Sequence, residues 1–427
     1  VTGGPVANPS SAKSSTANWV ANVHFRASDV HRPSRIEDLQ HIVRSSREVR
    51  VLGTGHSFND IADTTCDLVS LEQLIEPAEI DAANQTVRVS SRMTYGDLTA
   101  QLNRQGWALK NLGSLPHISV AGACATGTHG SGDTNGILAS QVCGIERVDA
   151  SGEIVTVRKG DVRFQGSVLG LGALGVVTAL TLDLVRACDM RQDVYNAMPA
   201  DAFVQNFDRV FGSAYSVSAF TEWRGDQVTQ VWLKQVVDSG EVTAPEWFGG
   251  RRATVPQHPI LGQSAESATL QLGRRAPWNQ ILPSFRIEFV PSRGDELQSE
   301  YFVGREHAAE AVTALRDVAG WFVAPLLVSE IRTIAADDIW LSPAYGRDAV
   351  GFHFTWRPDW PAVRAVLPVI EDALTPFGLR AHWGKLFTAD PETVRASHPR
   401  FDDFAELRRE TDPAGTFAND FVRRYFE

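Results

Sequence analysis

Gly170-Leu171-Gly172-Ala173-Leu174-Gly175 spells G-x-G-x-x-G, and the residues after it constrain the fold more than the glycines do. A dinucleotide fingerprint of that form needs a strand before it and a helix after it, so that the helix N-terminus meets the pyrophosphate. Here Val176-Val177-Thr178-Ala179-Leu180-Thr181-Leu182 alternates with the two-residue period of a strand. No acidic residue opens a second strand at the required distance. These residues describe a glycine turn entering a strand and argue against a nicotinamide Rossmann domain. The motifs G-x-x-x-x-G-K-[ST], H-E-x-x-H and G-x-S-x-G are absent, which removes the common nucleotidase, zinc-protease and serine-hydrolase readings.

The rest of the chain divides by pattern. Residues 1–17 are rich in Ser, Ala, Gly and Pro and read as a flexible tail. From 18 to 188 short strands alternate with helices. Ser34 to Glu37 reads as a capping box ahead of a helix carrying Ile36, Leu39, Ile42 and Val43 on one face. Strands are expected at Val49 to Leu52 and Thr86 to Ser90, a helix capped by Thr94 and ended by Gly106, and a hairpin through Ser151-Gly152. From 189 to 380 the chain is richer in Trp and Phe. Two-residue alternation there predicts strands at Val228 to Leu233, Phe285 to Phe289, Leu327 to Thr333 and Val350 to Trp356, backed by helices over 305–320 and 361–376. Residues 381–427 form a C-terminal segment.

Charge narrows the function. Asp and Glu number 51 against 40 Lys and Arg, a net charge of −11, which argues against a general nucleic-acid or anionic-membrane binder. The four cysteines, Cys66, Cys124, Cys143 and Cys188, lack disulfide or zinc-ligand spacing and read as buried reduced thiols; no metal site is expected. The most apolar stretch, Val168 to Leu182, is too short to span a bilayer. A soluble, cytoplasmic monomer is the expectation.

Two loops carry chemistry. Gly53-Thr54-Gly55-His56-Ser57-Phe58-Asn59 follows a strand, and Ser114 to Gly132 contains Ser119, Gly122 and the run Thr126-Gly127-Thr128-His129. Small residues let backbone N–H groups close around an anion. Either loop alone is as well explained by a tight turn with a solvent-facing His; two in one α/β region could hold both ends of a dinucleotide. On the substrate side, Glu330 and Arg332 lie two apart in a strand-like run and share a face, as do His353 and Thr355. Spacing alone also allows a solvated salt bridge.

These loops, Ser114-Leu115-Pro116-His117-Ile118-Ser119-Val120-Ala121-Gly122, Gly172-Ala173-Leu174-Gly175-Val176-Val177-Thr178 and His382-Trp383-Gly384-Lys385 occur in an order that resembles the vanillyl-alcohol-oxidase-type flavoproteins, and among them the alditol (xylitol) oxidases. The likeness runs from Asn18 to the Asp412 to Asn419 tail, about nine-tenths of the chain. It implies an α+β fold: a two-subdomain FAD-binding domain with an inserted antiparallel-sheet substrate domain. It implies FAD held by Gly53, Thr54, Gly55, His56, Ser57, Ser119, Gly122, Thr126, Gly127, Thr128, His129, Val177 and His382, with covalent attachment at His56. Doubly attached relatives carry a Cys where this chain has Leu115, so a second bond is not expected. The resemblance also places Ser114, Glu330, Arg332, His353, Thr355 and Lys385 around a polyol. Arg332 and Lys385 would stabilise the developing alkoxide, and His353 or a neutral Lys385 would take the proton. The implied reaction is oxidation of a terminal CH–OH with O2 reduced to hydrogen peroxide. An aldonolactone oxidase or dehydrogenase, and a catalytically silent sugar- or polyol-binding protein, are the alternatives.

Overall fold

The computed structural model describes residues 17–240, 242–289 and 296–427. The expected tail lies outside them except for Ala17. Residues 29–183 build two sheets. Three parallel strands lie in the order Asp29–His31, Asp67–Ser70, Val49–Leu52. Five antiparallel strands follow the order Glu79–Asp81, Thr86–Ser90, Val176–Asp183, Val142–Val148, Ile154–Arg158. The last two are the expected hairpin, with Gly152 in the left-handed region at φ 79°.

Local chemistry explains most boundaries. Helix Tyr95–Arg104 begins where the Thr94 hydroxyl accepts from the Asp97 amide, and Gly106 ends its turn at φ 74°. The capping box at Ser34 does not form. Helix Ile36–Ser45 starts one residue late, with Arg35 as its cap and no side-chain cap bond, so Glu37 falls at the second helical position and pairs with the Arg35 guanidinium instead. Leu39 and Val43 of this helix are buried against Val49, Val69, Val148, Val176 and Phe417. The Gly170 to Gly175 turn runs straight into Val176–Asp183, as its alternation predicts. Buried Arg50 fixes the turn by donating to the carbonyls of Leu171 and Gly172, and ties in the C-terminal segment through the Phe417 carbonyl.

The second half is a ten-stranded antiparallel sheet. Its central order is Asp189–Pro199, Gln227–Val236, Ser216–Thr221, Leu326–Ile334, Ala349–Trp356, Leu297–Gly304, Arg380–Ala381. Paired residues across an antiparallel ladder share a face, which gives the sheet two unlike sides. Val217, Ala219, Leu233, Ile331, Tyr301, Phe352 and Phe354 pack under helices Ala308–Phe322 and Trp360–Leu374 through Leu315, Phe322, Leu367 and Ile370. Each fully buried Val, Leu, Ile or Phe among them contributes about 1.5–3 kcal/mol. The opposite side carries the polar members of the same strands.

The strand expected at Phe285 to Phe289 does not form. Phe285 makes a single bridge to Ala268, and the amides of Ser284 and Phe285 both donate to the Ser114 carbonyl at 3.2 Å. That segment commits its backbone groups to the loop it covers, and Leu297–Gly304 takes the ladder position instead. Asn419 returns the C-terminal segment to the first half, its side-chain amide donating to the carbonyls of Asp60, Ile61 and Asp63. All four cysteines are free; Cys124 is buried and the other three are half-buried. Among the described residues no helix is long and apolar enough to cross a membrane, and no cluster of His, Cys, Asp or Glu could hold a metal.

Candidate active site

A cavity of about 510 Å³ separates the glycine loops from the polar side of the large sheet. Every residue expected at the cofactor or substrate site lines it except Gly127. Gly127 instead ends helix Val120–Thr126 in the left-handed region at φ 79°, a position that favours glycine for conformation.

On the loop side, the His56 ring stacks under Trp19 with centroids 4.7 Å apart. Both His56 nitrogens are buried and have no protein partner. Burial, then the nearby His117 and Arg92, push its pKa down to about 3, so the ring is neutral and its lone pair available. Beside it the two loops pack closely around the Ser119 side chain. A Cβ on Gly53 or Gly122 would stand 2.7 or 2.8 Å from the Ser119 hydroxyl oxygen. The Ser119 amide donates to the Thr54 hydroxyl at 3.1 Å, joining the two loops. An unpartnered neutral imidazole beside a close-packed glycine loop suits a bulky planar cofactor attached to or lying against the loop.

The substrate side is set by register. Glu330 pairs with His353, and His353 pairs in turn with Glu300, so three strands put these side chains in one row. Val328 and Gln298 flank Thr355 in the next row, and Arg332 lies beside Gly351, whose missing side chain leaves room above the Glu300 carboxylate. Glu300, fully buried, accepts from Arg332 Nη2 at 2.6 Å and His129 Nε2 at 3.1 Å through Oε1, and from Lys385 Nζ at 2.7 Å through Oε2. Burial pushes the Glu300 carboxyl up, but Lys385, Arg332 and His129 together hold it well below the usual carboxylate range. Lys385 reaches the cavity from a loop pinned by Asn59, whose amide donates to the carbonyls of Trp383 and Lys385. His353 Nε2 lies 3.0 Å from Gln298 Oε1, and burial, then Lys385, push its pKa well below the ordinary histidine value. Ser114 sits at the wall formed by Ser284.

Two buried polar atoms in this wall make no hydrogen bond: Glu330 Oε1, and Arg332 Nε, which lies 3.7 Å from Glu330 Oε2. An acceptor and a donor left bare side by side match hydroxyl groups, each of which can donate and accept. Sequence patterning missed Glu300, Gln298 and Trp19. The two-residue alternation of Leu297, Tyr301 and Val303 marks a strand whose other face carries Gln298 and Glu300, a usable signal for both; nothing local distinguishes Trp19.

Residues 27–158 match the model of an FAD binding domain, and residues 283–425 match that of D-arabinono-1,4-lactone oxidase. The chain is 45% identical to an alditol oxidase from Streptomyces sp. over 409 residues, covering 95% of this chain and 97% of that protein. It is 28% identical to L-gulono-1,4-lactone dehydrogenase of Mycobacterium tuberculosis, over 96% and 98% of the two chains. Cholesterol oxidase from B. sterolicum superposes with a TM-score of 0.76 at 15% identity, over 96% of each chain, and shares the fold. The fold and paired loops therefore define an FAD-binding oxidoreductase of the vanillyl-alcohol-oxidase type. Within that class, the chain belongs to the alditol oxidase family.

Proposed function

We propose that the protein oxidises the terminal CH–OH of a small alditol such as xylitol or sorbitol to the aldose, using FAD attached through His56 and reducing O2 to hydrogen peroxide. The observation that carries this reading is the buried pair Glu330 Oε1 and Arg332 Nε in the cavity wall, neither of which makes a hydrogen bond. Leaving such groups unsatisfied costs about 1–3 kcal/mol each, so the wall favours a ligand bearing several hydroxyls.

Bound FAD supplies the hydride acceptor and its reoxidation by oxygen. The chain supplies position and field. Glu330, Ser114 and Thr355 hold the inner hydroxyls. Arg332 and Lys385, both anchored on Glu300, oppose negative charge developing on the reacting oxygen; one preorganised donor of this kind is typically worth about 10²–10³ in rate. His353 is neutral, and with Nε2 donating to Gln298 Oε1 its Nδ1 has the lone pair to take the hydroxyl proton. His56, neutral and unpartnered, has the free lone pair that attachment requires.

Absorbance of the purified protein and a peroxide assay test this together. The flavin colour should stay with acid-precipitated protein, His56→Ala should lose it, and xylitol should yield peroxide without nicotinamide. Colour washing into the supernatant refutes the covalent bond. Absence of peroxide with every alditol, but turnover of a gulono- or galactonolactone, refutes the substrate class.

A further inference from the structure

Glu300 touches neither loop nor substrate wall by accident of packing: it is the point where the cofactor loop and the two substrate cations meet. His129 makes this a question of proton count. Its Nδ1 lies 2.8 Å from the Gly130 carbonyl oxygen, which can only accept. Its Nε2 lies 3.1 Å from Glu300 Oε1. That oxygen already accepts from Arg332 Nη2 at 2.6 Å, and its partner Oε2 accepts from Lys385 Nζ at 2.7 Å. Both ring nitrogens therefore face acceptors, and each contact needs a hydrogen on the ring side.

We infer that Glu300 is a positioning residue that holds His129 as an imidazolium and fixes Arg332 and Lys385, so that its one negative charge, divided among three cations, sets the proton affinity of Lys385. This rests on the alditol-oxidising reading of the site. The charged and titratable groups around Lys385 are Glu300 on strand Leu297–Gly304, Glu330 and Arg332 on Leu326–Ile334, His353 on Ala349–Trp356, His382 on its own segment and His129 on the cofactor loop. Burial lowers the Lys385 ammonium below the ordinary lysine value, and Glu300 is the strongest group opposing that. For His129, burial and then Arg332 outweigh the support of Glu300 and the Gly130 carbonyl and push its pKa below the ordinary histidine value. The charged assignment therefore rests on the hydrogen-bond count, because a neutral ring keeps one N–H and would press its bare nitrogen against a buried acceptor oxygen.

The consequence is an alkaline limit to turnover. Lys385 acts as a cation at the reacting oxygen, so activity falls as pH rises through its pKa. Glu300→Gln keeps the shape but removes the charge. A nearby opposite charge is worth about one to three pKa units, so this variant should move the alkaline limb of kcat to lower pH by about one unit or more. It should lower kcat more than it raises KM. Glu300→Asp retains the charge and should keep the limb near its wild-type position while losing rate through shortened reach. A purely structural role would lower kcat in both variants without moving the limb.

The direct readout is nitrogen NMR of histidine-labelled, flavin-loaded protein at pH 7.5. His129 should show both ring nitrogens protonated in the wild type and one unprotonated nitrogen in Glu300→Gln. A wild-type His129 with one bare nitrogen overturns the inference, as does an unshifted limb in Glu300→Gln. If the wild type leaves xylitol untouched, the functional reading fails, and the His129 spectrum still decides the charge assignment.

Discussion

Removing the Glu330 carboxylate should change which alcohols the protein prefers more than it changes how fast the reacting carbon is oxidised. Glu330 Oε1 is buried, lines the cavity and has no protein partner, so a substrate hydroxyl is the group it waits for. A hydrogen bond to a charged acceptor is worth about 1.5–3 kcal/mol, which is roughly 10- to 150-fold in kcat/KM. Glu330→Ala should take that factor from xylitol, take less from glycerol and take almost nothing from 1-propanol, which has no second hydroxyl to lose. Glu330→Gln keeps an acceptor of the same shape and should fall between. Glu330 Oε2 also lies 3.7 Å from Arg332 Nε, so either variant alters the field at the reacting oxygen. All substrates share that oxygen, and the ratio of xylitol to 1-propanol cancels the common loss. Lys385→Ala serves as the contrast, depressing all three alcohols alike. Oxygen consumption at one pH, with each alcohol below its KM, gives the ratios directly. An unchanged xylitol to 1-propanol ratio in Glu330→Ala would show that Glu330 binds no inner hydroxyl.

Two further outcomes concern stability. Gly175 holds φ 132° and a Cβ there would stand 2.6 Å from the Val148 carbonyl oxygen, so Gly175→Ala should cost about 1–3 kcal/mol. Its urea midpoint should drop measurably; a wild-type midpoint would mean the turn relaxes freely. Buried His398 has a pKa pushed down to about 3, by burial first and then by Arg380, whereas the unfolded chain titrates near 6.5. The unfolded state binds the extra proton, so this histidine's contribution is intact above pH 6.5 and is lost by about 1.4 kcal/mol per pH unit below it. Asp337, raised to about 6 mainly by burial, works in the opposite direction over part of that range. The comparison is therefore wild type minus His398→Leu, whose stability gap should narrow from pH 7 to pH 4.5. A constant gap would refute the neutral buried assignment.

The sequence alone determined what local chemistry controls. Alternation after Gly175 ruled out a dinucleotide-binding helix because a strand period cannot bury a helical face, and the strand is there. Thr94 and Asp97 placed a helix start by a bond within one turn. The pairs Glu330 with Arg332 and His353 with Thr355 were legible because residues two apart share a strand face. Ordered motifs brought the loops, His382 and Lys385 into the same reading, since each motif keeps its own backbone geometry wherever the fold puts it.

Tertiary structure decided the rest. Glu300 became the centre of the site only through the pairing of strands Leu297–Gly304, Ala349–Trp356 and Leu326–Ile334, and pairing partners are not written in any one strand's pattern. The strand expected at Phe285 was lost to backbone bonds with Ser114, residues far apart in the chain. The capping box at Ser34 failed by one residue, the helix starting at Ile36 with Arg35 as its cap. Gly127 looked like its neighbours in a glycine-rich run, yet its φ of 79° serves the helix end and leaves it out of the cavity. Trp19 over His56 joins segments whose approach no local period encodes. Local bonds and side-chain periods act within a few residues and can be read in order, whereas charge states and contacts in a buried site depend on which distant strands share a face.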